Sequence, residues 1–186
     1  GERRMRRYKG LTLVEMIATA AVIAIAGTLA VPSFNQIRLN AQRAAIVNNF
    51  FHSLFLARSE ADKRGEIVSL CRSADGQTCA PRSSAWTIGW IVFVNQDRDE
   101  PAVRHEGDEI LAVYPGWQHG TITSNRVTYS FRPRVQGAVN GTIVFCDRRG
   151  SAQARAIIIS HTGRPRVAHK NASGKPLKCQ QEGDSG

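Results

Sequence analysis

The chain has 186 residues and a formal net charge of +10 at pH 7. Because domains usually hold about 100 to 200 residues, this length argues against several large domains and predicts one globular unit with its own hydrophobic core. The charge is uneven: residues 126–179 contain eleven basic residues and one acid, Asp147, while the charges of the other regions cancel one another, and such a distribution indicates a surface with a function.

The first predicted element is an apolar helix that follows a basic leader. Residues 1–10 have a net charge of +4, and Leu11–Val31 is apolar or small apart from Glu15 and three threonines. About 21 residues at 1.5 Å each can cross a hydrocarbon core, so we predict a transmembrane helix whose leader stays cytoplasmic. A secretory signal peptide and an ordinary membrane anchor are the alternatives. Glu15 needs a partner, because an ionised carboxylate in a membrane costs about 2.5 to 3.5 kcal/mol.

Three features of this segment occur together. Gly10 ends the leader, LTLVE follows it, and Pro32 is residue 22 of a chain that begins at Leu11. Together they resemble the amino terminus of type IV pilins and pseudopilins, although Leu11 replaces the usual Phe. The resemblance implies cleavage between Gly10 and Leu11 by prepilin peptidase and methylation of the new amino terminus. It also implies assembly with other pilin subunits through Glu15, which pairs with the amino terminus of a neighbour.

Hydrophobic spacing predicts a long helix followed by short strands. The helix should continue beyond Pro32 and end at 63–65, because apolar residues recur mostly at three- and four-residue intervals, namely Phe34, Ile37, Ala41, Ala44, Val47, Phe51, Leu54 and Ala61. Six β-rich runs predict strands at 66–72, 86–94, 109–115, 126–132, 141–146 and 155–160. We therefore predict an α+β fold with a long amino-terminal helix packed on antiparallel β-sheet.

Four cysteines lie beyond the helix, without the paired C-x-x-C spacing of a zinc site. Disulfides are therefore favoured, which indicates an oxidising compartment. Cys71 and Cys79 flank a short segment that suits a local disulfide, and Cys146 and Cys179 then form the second pair. Other pairings remain open.

The sequence contains no motif typical of catalysis or of a bound cofactor. Asn95, Asp97 and Asp99 alternate as calcium ligands could, but the glycine of a calcium-binding loop is missing, and a solvated turn is favoured. We therefore expect neither enzymatic activity nor a metal or cofactor.

The basic carboxy-terminal region 160–179 predicts contact with the phosphate backbone of a nucleic acid. Arginine grips phosphate oxygens through its planar fork, and several such contacts release condensed counterions. Gly163 permits a turn and Pro165 keeps the next residues extended, so Arg164 and Arg166 should lie on one side. The predicted contact residues are Gly163, Arg164, Arg166, Lys170, Lys175, Lys178, Arg148 and Arg149.

Base reading is not expected of this region. Residues 147–186 contain no aromatic side chain on which bases could stack, so binding should be independent of sequence and sensitive to salt. A solvated basic face without a partner is the alternative.

Five further stretches extend the resemblance over most of the chain: ARSEADKRG, VSLCRSADGQTC, WTIGWIVFVNQDRD, GTIVFC and IIISHTGRPRV. They are similar to the GspH/FimT group of minor pilins and pseudopilins, and TGRPR resembles the G-R-x-R motif of FimT-type minor pilins associated with DNA uptake. The resemblance implies a leader at 1–10, a transmembrane and filament-core helix at 11–37, and a periplasmic or extracellular head at 38–186.

The implied function is that of a minor pilin, anchored in the bacterial inner membrane before assembly into an extracellular type IV pilus. Its head would bind extracellular DNA for natural transformation. The alternative is a structural minor pilin or a GspH-like pseudopilin that primes fibre assembly or serves type II secretion.

Overall fold

The structure is a computed structural model that describes Gly10, residues 12–133 and residues 140–179. The predicted leader residues 1–9, Leu11 at the predicted cleavage position, and the acidic end 180–186 lie outside the described residues. The chain divides into two compact units, Gly1–Ala41 and Gln42–Gly186.

Helix α1 spans Leu13–Arg64 and has recognisable signals at both ends. Thr12 caps its start, because its Oγ1 accepts a hydrogen bond from the Glu15 amide at 3.3 Å. At its end, Gly65 has a φ of 74° and donates its amide to the Ala61 carbonyl at 3.0 Å. A left-handed residue of this kind is typical of a helix carboxyl end, and it lies where the sequence predicts the end of the helix.

The amino-terminal unit exposes the side chains of residues 12–25. Glu15 is exposed, and so are the large apolar side chains Leu13, Val14, Met16, Ile17, Val22, Ile23 and Ile25. Among the described residues, no helix combines the length and the apolar character needed to cross a membrane.

The described residues of the carboxy-terminal unit form two antiparallel sheets. Sheet A has the strand order β3-β2-β1-β5, and sheet B has the order β4-β6-β7-β8. The strands are β1 Val68–Arg72, β2 Gly89–Val94, β3 Ile110–Pro115, β4 Gly120–Ser124, β5 Thr128–Phe131, β6 Gly141–Asp147, β7 Arg155–Ile159 and β8 Pro165–Ala168.

Two strands of sheet B were not predicted, and one predicted strand begins later. The segment GTITS of β4 buries only Ile122, so it lacks the apolar run that marks a strand. Strand β8 begins at a proline and buries only Ala168. The first residues of the predicted strand 86–94 form a 3-10 turn at Trp86–Ile88 instead.

The core lies between the carboxy-terminal part of α1 and both sheets. Phe50 is fully buried, and its ring lies 4.8 Å from Trp90 and 5.8 Å from Phe145, which belong to different sheets. The predicted stripe includes Phe51, which is partly buried against this core, but it omits Phe50, the fully buried aromatic residue of the same helix turn. Both positions fit a spacing of three or four from Val47, so periodicity alone could not separate them.

Candidate nucleic-acid interface

The face of sheet B that points away from α1 is called here the outer face. Along β7, Ile157 and Ile159 join the core against α1, whereas Ala156 and Ile158 join a second apolar cluster on the opposite side. Strand β8 pairs with β7 so that Arg166 lies opposite Ile158. Because directly paired residues share a face, Arg166 belongs to the outer face.

A tight turn joins β7 to β8 and contains the first predicted contact residues. The Gly163 amide donates to the Ser160 carbonyl at 2.9 Å, and the Ser160 amide donates to the Arg164 carbonyl at 3.2 Å. Gly163 has a φ of 73°, which favours glycine, and Arg164 follows it directly at the start of the edge strand. Arg58 of α1 donates to the Thr162 carbonyl at 3.3 Å, so the turn is also attached to the helix.

A second turn of the same pattern follows β8. The Gly174 amide donates to the Asn171 carbonyl at 3.0 Å, and the Asn171 amide donates to the Lys175 carbonyl at 2.9 Å. Gly174 has a φ of 76°, and Lys175 follows it directly. The Asn171 side chain accepts hydrogen bonds from the amides of Ser173 and Lys175. Both turns therefore carry a basic residue immediately after a left-handed glycine.

The chain then crosses the outer face and is fixed to it. Leu177 is buried in the second apolar cluster with Ile158 and Ala168. Cys179 forms a disulfide with Cys146 of β6 and donates its amide to Ser151 Oγ at 3.2 Å. The other disulfide joins Cys71 and Cys79, so the structure contains the pairing that the sequence favours. The basic tail is thus attached to the middle of sheet B.

A groove of about 470 Å³ lies on the outer face beneath the second turn. Its lining includes Thr123 of β4, Thr142 of β6, Asn171 and Ser173 of the turn, and Lys178. Hydroxyl and amide side chains of these types commonly contact phosphate oxygens. The two threonines were not predicted from the sequence, because they come together only through the pairing of β4 with β6. Alternation of Thr with buried residues in GTITS and GTIVF was the available signal.

The exposed cations of this region have no compensating acids in the part of the chain that the structure describes. Six of the predicted contact residues are exposed, and no described carboxylate forms an ion pair with them: Arg148, Arg164, Arg166, Lys170, Lys175 and Lys178. Arg164 and Arg166 flank the start of β8, and Lys178 lines the groove. Unpaired exposed cations are available to an anionic partner.

Arg149 has a different environment from the other predicted contact residues. Asp147 faces α1, and its carboxylate lies 2.6 Å from Arg149 Nη2 and 3.5 Å from Arg43 Nη1 of the helix. Burial would raise the pKa of Asp147, but the hydrogen bonds from Arg149 and the charges of both arginines outweigh burial and hold this pKa below its usual value. Arg149 is therefore engaged in an internal ion pair.

The alternating polar residues after β2 form an internal hydrogen-bond network. Asn95 is buried, donates to Ser69 Oγ at 3.3 Å, and accepts the Asp99 amide at 3.2 Å. The Asp99 carboxylate lies 2.7 Å from His105 Nε2, and Asp97 lies 3.9 Å from the same atom. The described residues contain no cluster of three or more side chains suited to holding a metal ion.

Comparison with known proteins gives a family and a fold. The family model described as "Type II transport protein GspH" matches residues 47–163, and the model described as "Prokaryotic N-terminal methylation motif" matches residues 5–31. No curated protein has a significantly similar sequence.

Two crystal structures of the type IV minor pilin FimU from Pseudomonas aeruginosa strain PAO1 have the same fold. They come from the space groups P65 and P21, and both align with a TM-score of 0.52 and 18% sequence identity. The alignments cover 74% and 78% of this chain and 99% and 98% of the FimU chains. The common fold is the α+β pilin fold, a long amino-terminal helix packed on antiparallel sheets.

Proposed function

This chain belongs to the GspH family, and from that membership we propose that its outer face enables a pilin-like subunit to bind DNA. The chain is a structural protein without enzymatic activity, a minor pilin or pseudopilin of a type IV pilus or of a type II secretion system. Its methylation motif implies processing by prepilin peptidase, anchoring in the inner membrane and assembly with other pilin subunits.

The observation that supports the proposal is the uncompensated positive charge beside the outer-face groove. The segment from 148 to 179 contains eight basic residues and no acid. Asp147 is the only acid in the sequence of residues 126–179, and it is buried and paired with Arg43 and Arg149. An anionic polymer that reaches this face therefore meets little electrostatic repulsion. A small partner protein with an acidic patch would contact only a few of these positive charges.

The proposed contact is with the phosphate backbone. Arg164 and Arg166 lie at the edge strand, and Lys170, Lys175 and Lys178 extend the charge around the second turn; Gly163 provides the turn, and Arg148 adds a peripheral charge. Thr142 and Ser173 can donate hydrogen bonds to phosphate oxygens in the groove. Arg149 is left out of the proposed contact, because its guanidinium is bound to Asp147.

The biological role that we propose is DNA uptake. Prepilin peptidase removes residues 1–10, and Leu11 becomes the methylated amino terminus. Residues 11–37 anchor the subunit in the membrane and then join the filament core, where Glu15 pairs with the amino terminus of a neighbouring subunit. Residues 38–186 form the exposed head. A FimT-type minor pilin of this kind presents its outer face to extracellular DNA and delivers the DNA for natural transformation. Binding independent of sequence suits that role, since the DNA supplied varies.

The description of the matching family favours a second candidate. A protein similar to a type II transport protein could be a pseudopilin, or a minor pilin, that primes fibre assembly. In that case the outer face contacts acidic surfaces of neighbouring subunits rather than DNA.

A strain carrying the chromosomal substitutions Arg164→Gln and Arg166→Gln distinguishes the two candidates. We expect normal pili and a large loss in uptake of fluorescent DNA, with Lys63→Gln as the matched control because Lys63 is an exposed cation on α1 outside the outer face. Loss of pili, together with unchanged DNA binding by the purified chain, would support the structural role and contradict the DNA-binding proposal.

A further inference from the structure

A second basic surface lies beside the turn between β7 and β8 and contains none of the predicted contact residues. It is a cavity of about 560 Å³, called here the arginine pocket, whose lining includes Arg82, Arg126, Arg132, Asn140 and His161 together with one carboxylate, Glu100. Among the described residues, no ion pair engages any of these three arginines. The arginines therefore leave the pocket with a net positive charge.

Arg126 is held in a fixed orientation without losing its charge. Its Nε donates to the Asn140 carbonyl at 2.8 Å, and its Nη2 donates to Asn140 Oδ1 at 2.6 Å. Asn140 is neutral, so the guanidinium is positioned but not neutralised. A guanidinium has five N–H donors, and these two bonds leave about three of them for a ligand. Such preorganisation lowers the entropy cost of gripping an anion.

The wall beside Arg126 and Arg82 contains the buried side chain of Trp86 and a further buried cation, Arg72. The Trp86 indole donates to the Arg126 carbonyl at 3.1 Å, and Trp86 is buried. Behind Arg82, the side chain of Arg72 donates to the Arg82 carbonyl at 2.9 Å. Arg72 is only 7% exposed, and its Nε and Nη2 have no hydrogen-bond partner among the described residues. A buried cation without a carboxylate adds to the attraction for an anion in the adjacent cavity.

The arginine pocket is continuous with the turn that carries Arg164. Asn140 Nδ2 lies 3.5 Å from His161 Nδ1, and His161 belongs to the same tight turn as Gly163 and Arg164. Asn140 therefore connects the fixed guanidinium of Arg126 to that turn. A strand of nucleic acid that leaves Arg164 over the turn would arrive at the pocket.

We infer that the arginine pocket binds a second phosphodiester of the nucleic-acid strand whose backbone lies on the outer face, an inference that rests on the proposed DNA binding. Arg126 contacts the phosphate, Arg82 and Arg132 surround it, and Asn140 is a positioning residue. The footprint then extends from the outer face across the turn between β7 and β8 to the arginine pocket.

The test is a titration of a short fluorescein-labelled duplex with 5′-hydroxyl ends, followed by anisotropy, with the full chain in nonionic detergent at several salt concentrations. Arg126→Gln removes the charge, and Asn140→Asp keeps a similar side-chain shape but neutralises Arg126. Each variant should bind about eightfold more weakly at about 0.1 M salt, with a salt slope lower by about 0.9. Lys63→Gln should bind as the wild type does, and thermal unfolding should show that each variant remains folded.

The possible results distinguish a failure of the pocket inference from a failure of the proposed DNA binding by the outer face. If both pocket variants bind like the wild type while Arg164→Gln/Arg166→Gln binds weakly, the pocket inference is wrong and DNA binding by the outer face stands. If the wild-type chain does not bind the duplex, the proposed function and this inference both fail. A defect of Arg126→Gln that appears only with a 5′-phosphorylated duplex would overturn the assignment to an internal phosphodiester.

Discussion

Replacing both Arg164 and Arg166 by Gln is the sharpest test of the proposed DNA contact. Glutamine keeps a polar side chain of similar reach but removes the charge. Both arginines are exposed, and neither forms an ion pair with a described residue, so the free energy of unfolding should change by no more than about 0.5 kcal/mol. Any large effect on binding is then an effect of charge at the surface.

The expected magnitude follows from counterion release. Each cation that contacts a phosphate of duplex DNA contributes about 0.9 to the slope of log affinity against log salt, so two contacts contribute about 1.8. At about 0.1 M salt this corresponds to a loss of affinity of about 60-fold for the double variant. Between about 50 and 200 mM salt, the ratio of the two dissociation constants should shrink about 12-fold.

Fluorescence anisotropy with a labelled duplex measures both quantities in one series of titrations. Lys63→Gln removes one exposed charge outside the outer face and should reproduce the wild-type slope. Parallel salt dependences for the wild type and the double variant would refute the reasoning, because they would show that neither arginine contacts a phosphate. An equal affinity at low salt would refute it as well.

Three further predictions concern stability, each measured by urea denaturation of the full chain. Replacing Cys146 and Cys179 by Ser opens a link across 33 residues and should lower the free energy of unfolding by about 3 to 4 kcal/mol; an unchanged midpoint would contradict this. Phe50→Ala should cost about 3 to 5 kcal/mol, whereas Phe55→Ala, at a side chain that is 48% exposed, should cost much less, and similar costs would contradict the assigned core. Burial alone would raise the pKa of Asp147, but hydrogen bonds and charges from arginines outweigh burial and lower it. The ionised Asp147 should therefore add to the free energy of unfolding above about pH 4, and this stabilisation should be lost as the pH falls through the lowered pKa. Asp147→Asn should therefore flatten the acid side of the stability curve, and an unaltered curve would contradict the ion pair.

The long helix and most strands could be predicted because their signals are local. Gly65 marks the helix end through its own backbone conformation, and the apolar runs of β2, β6 and β7 identify these strands without knowledge of their neighbours. Strand β4 could not be predicted in this way. Its one buried residue, Ile122, acquires its role only when β6 pairs beside it.

In the candidate site, too, residues with a local sequence signal could be predicted, and residues whose role depends on distant contacts could not. Arg164 and Arg166 follow from a short motif with a turn-forming glycine, so the sequence identifies them. It cannot tell which of the adjacent residues Arg148 and Arg149 is engaged internally, because the choice depends on which face of β6 Asp147 occupies and on Arg43 from a distant helix turn. The arginine pocket could not be predicted from the sequence either, because Arg82 and Arg126 come from separate loops that only the fold brings together.

The disulfide between Cys146 and Cys179 also decides how the head responds to force. Among the described strands, β8 lies at the edge of sheet B beside β7 alone, and a pull on the tail alone would peel it from β7 one hydrogen bond at a time. Because Cys179 is joined covalently to β6, a load applied to Lys178 enters a central strand that is bonded on both sides. Tension on a captured polymer is then shared by two strand ladders, and the tail can act as a mechanical attachment point.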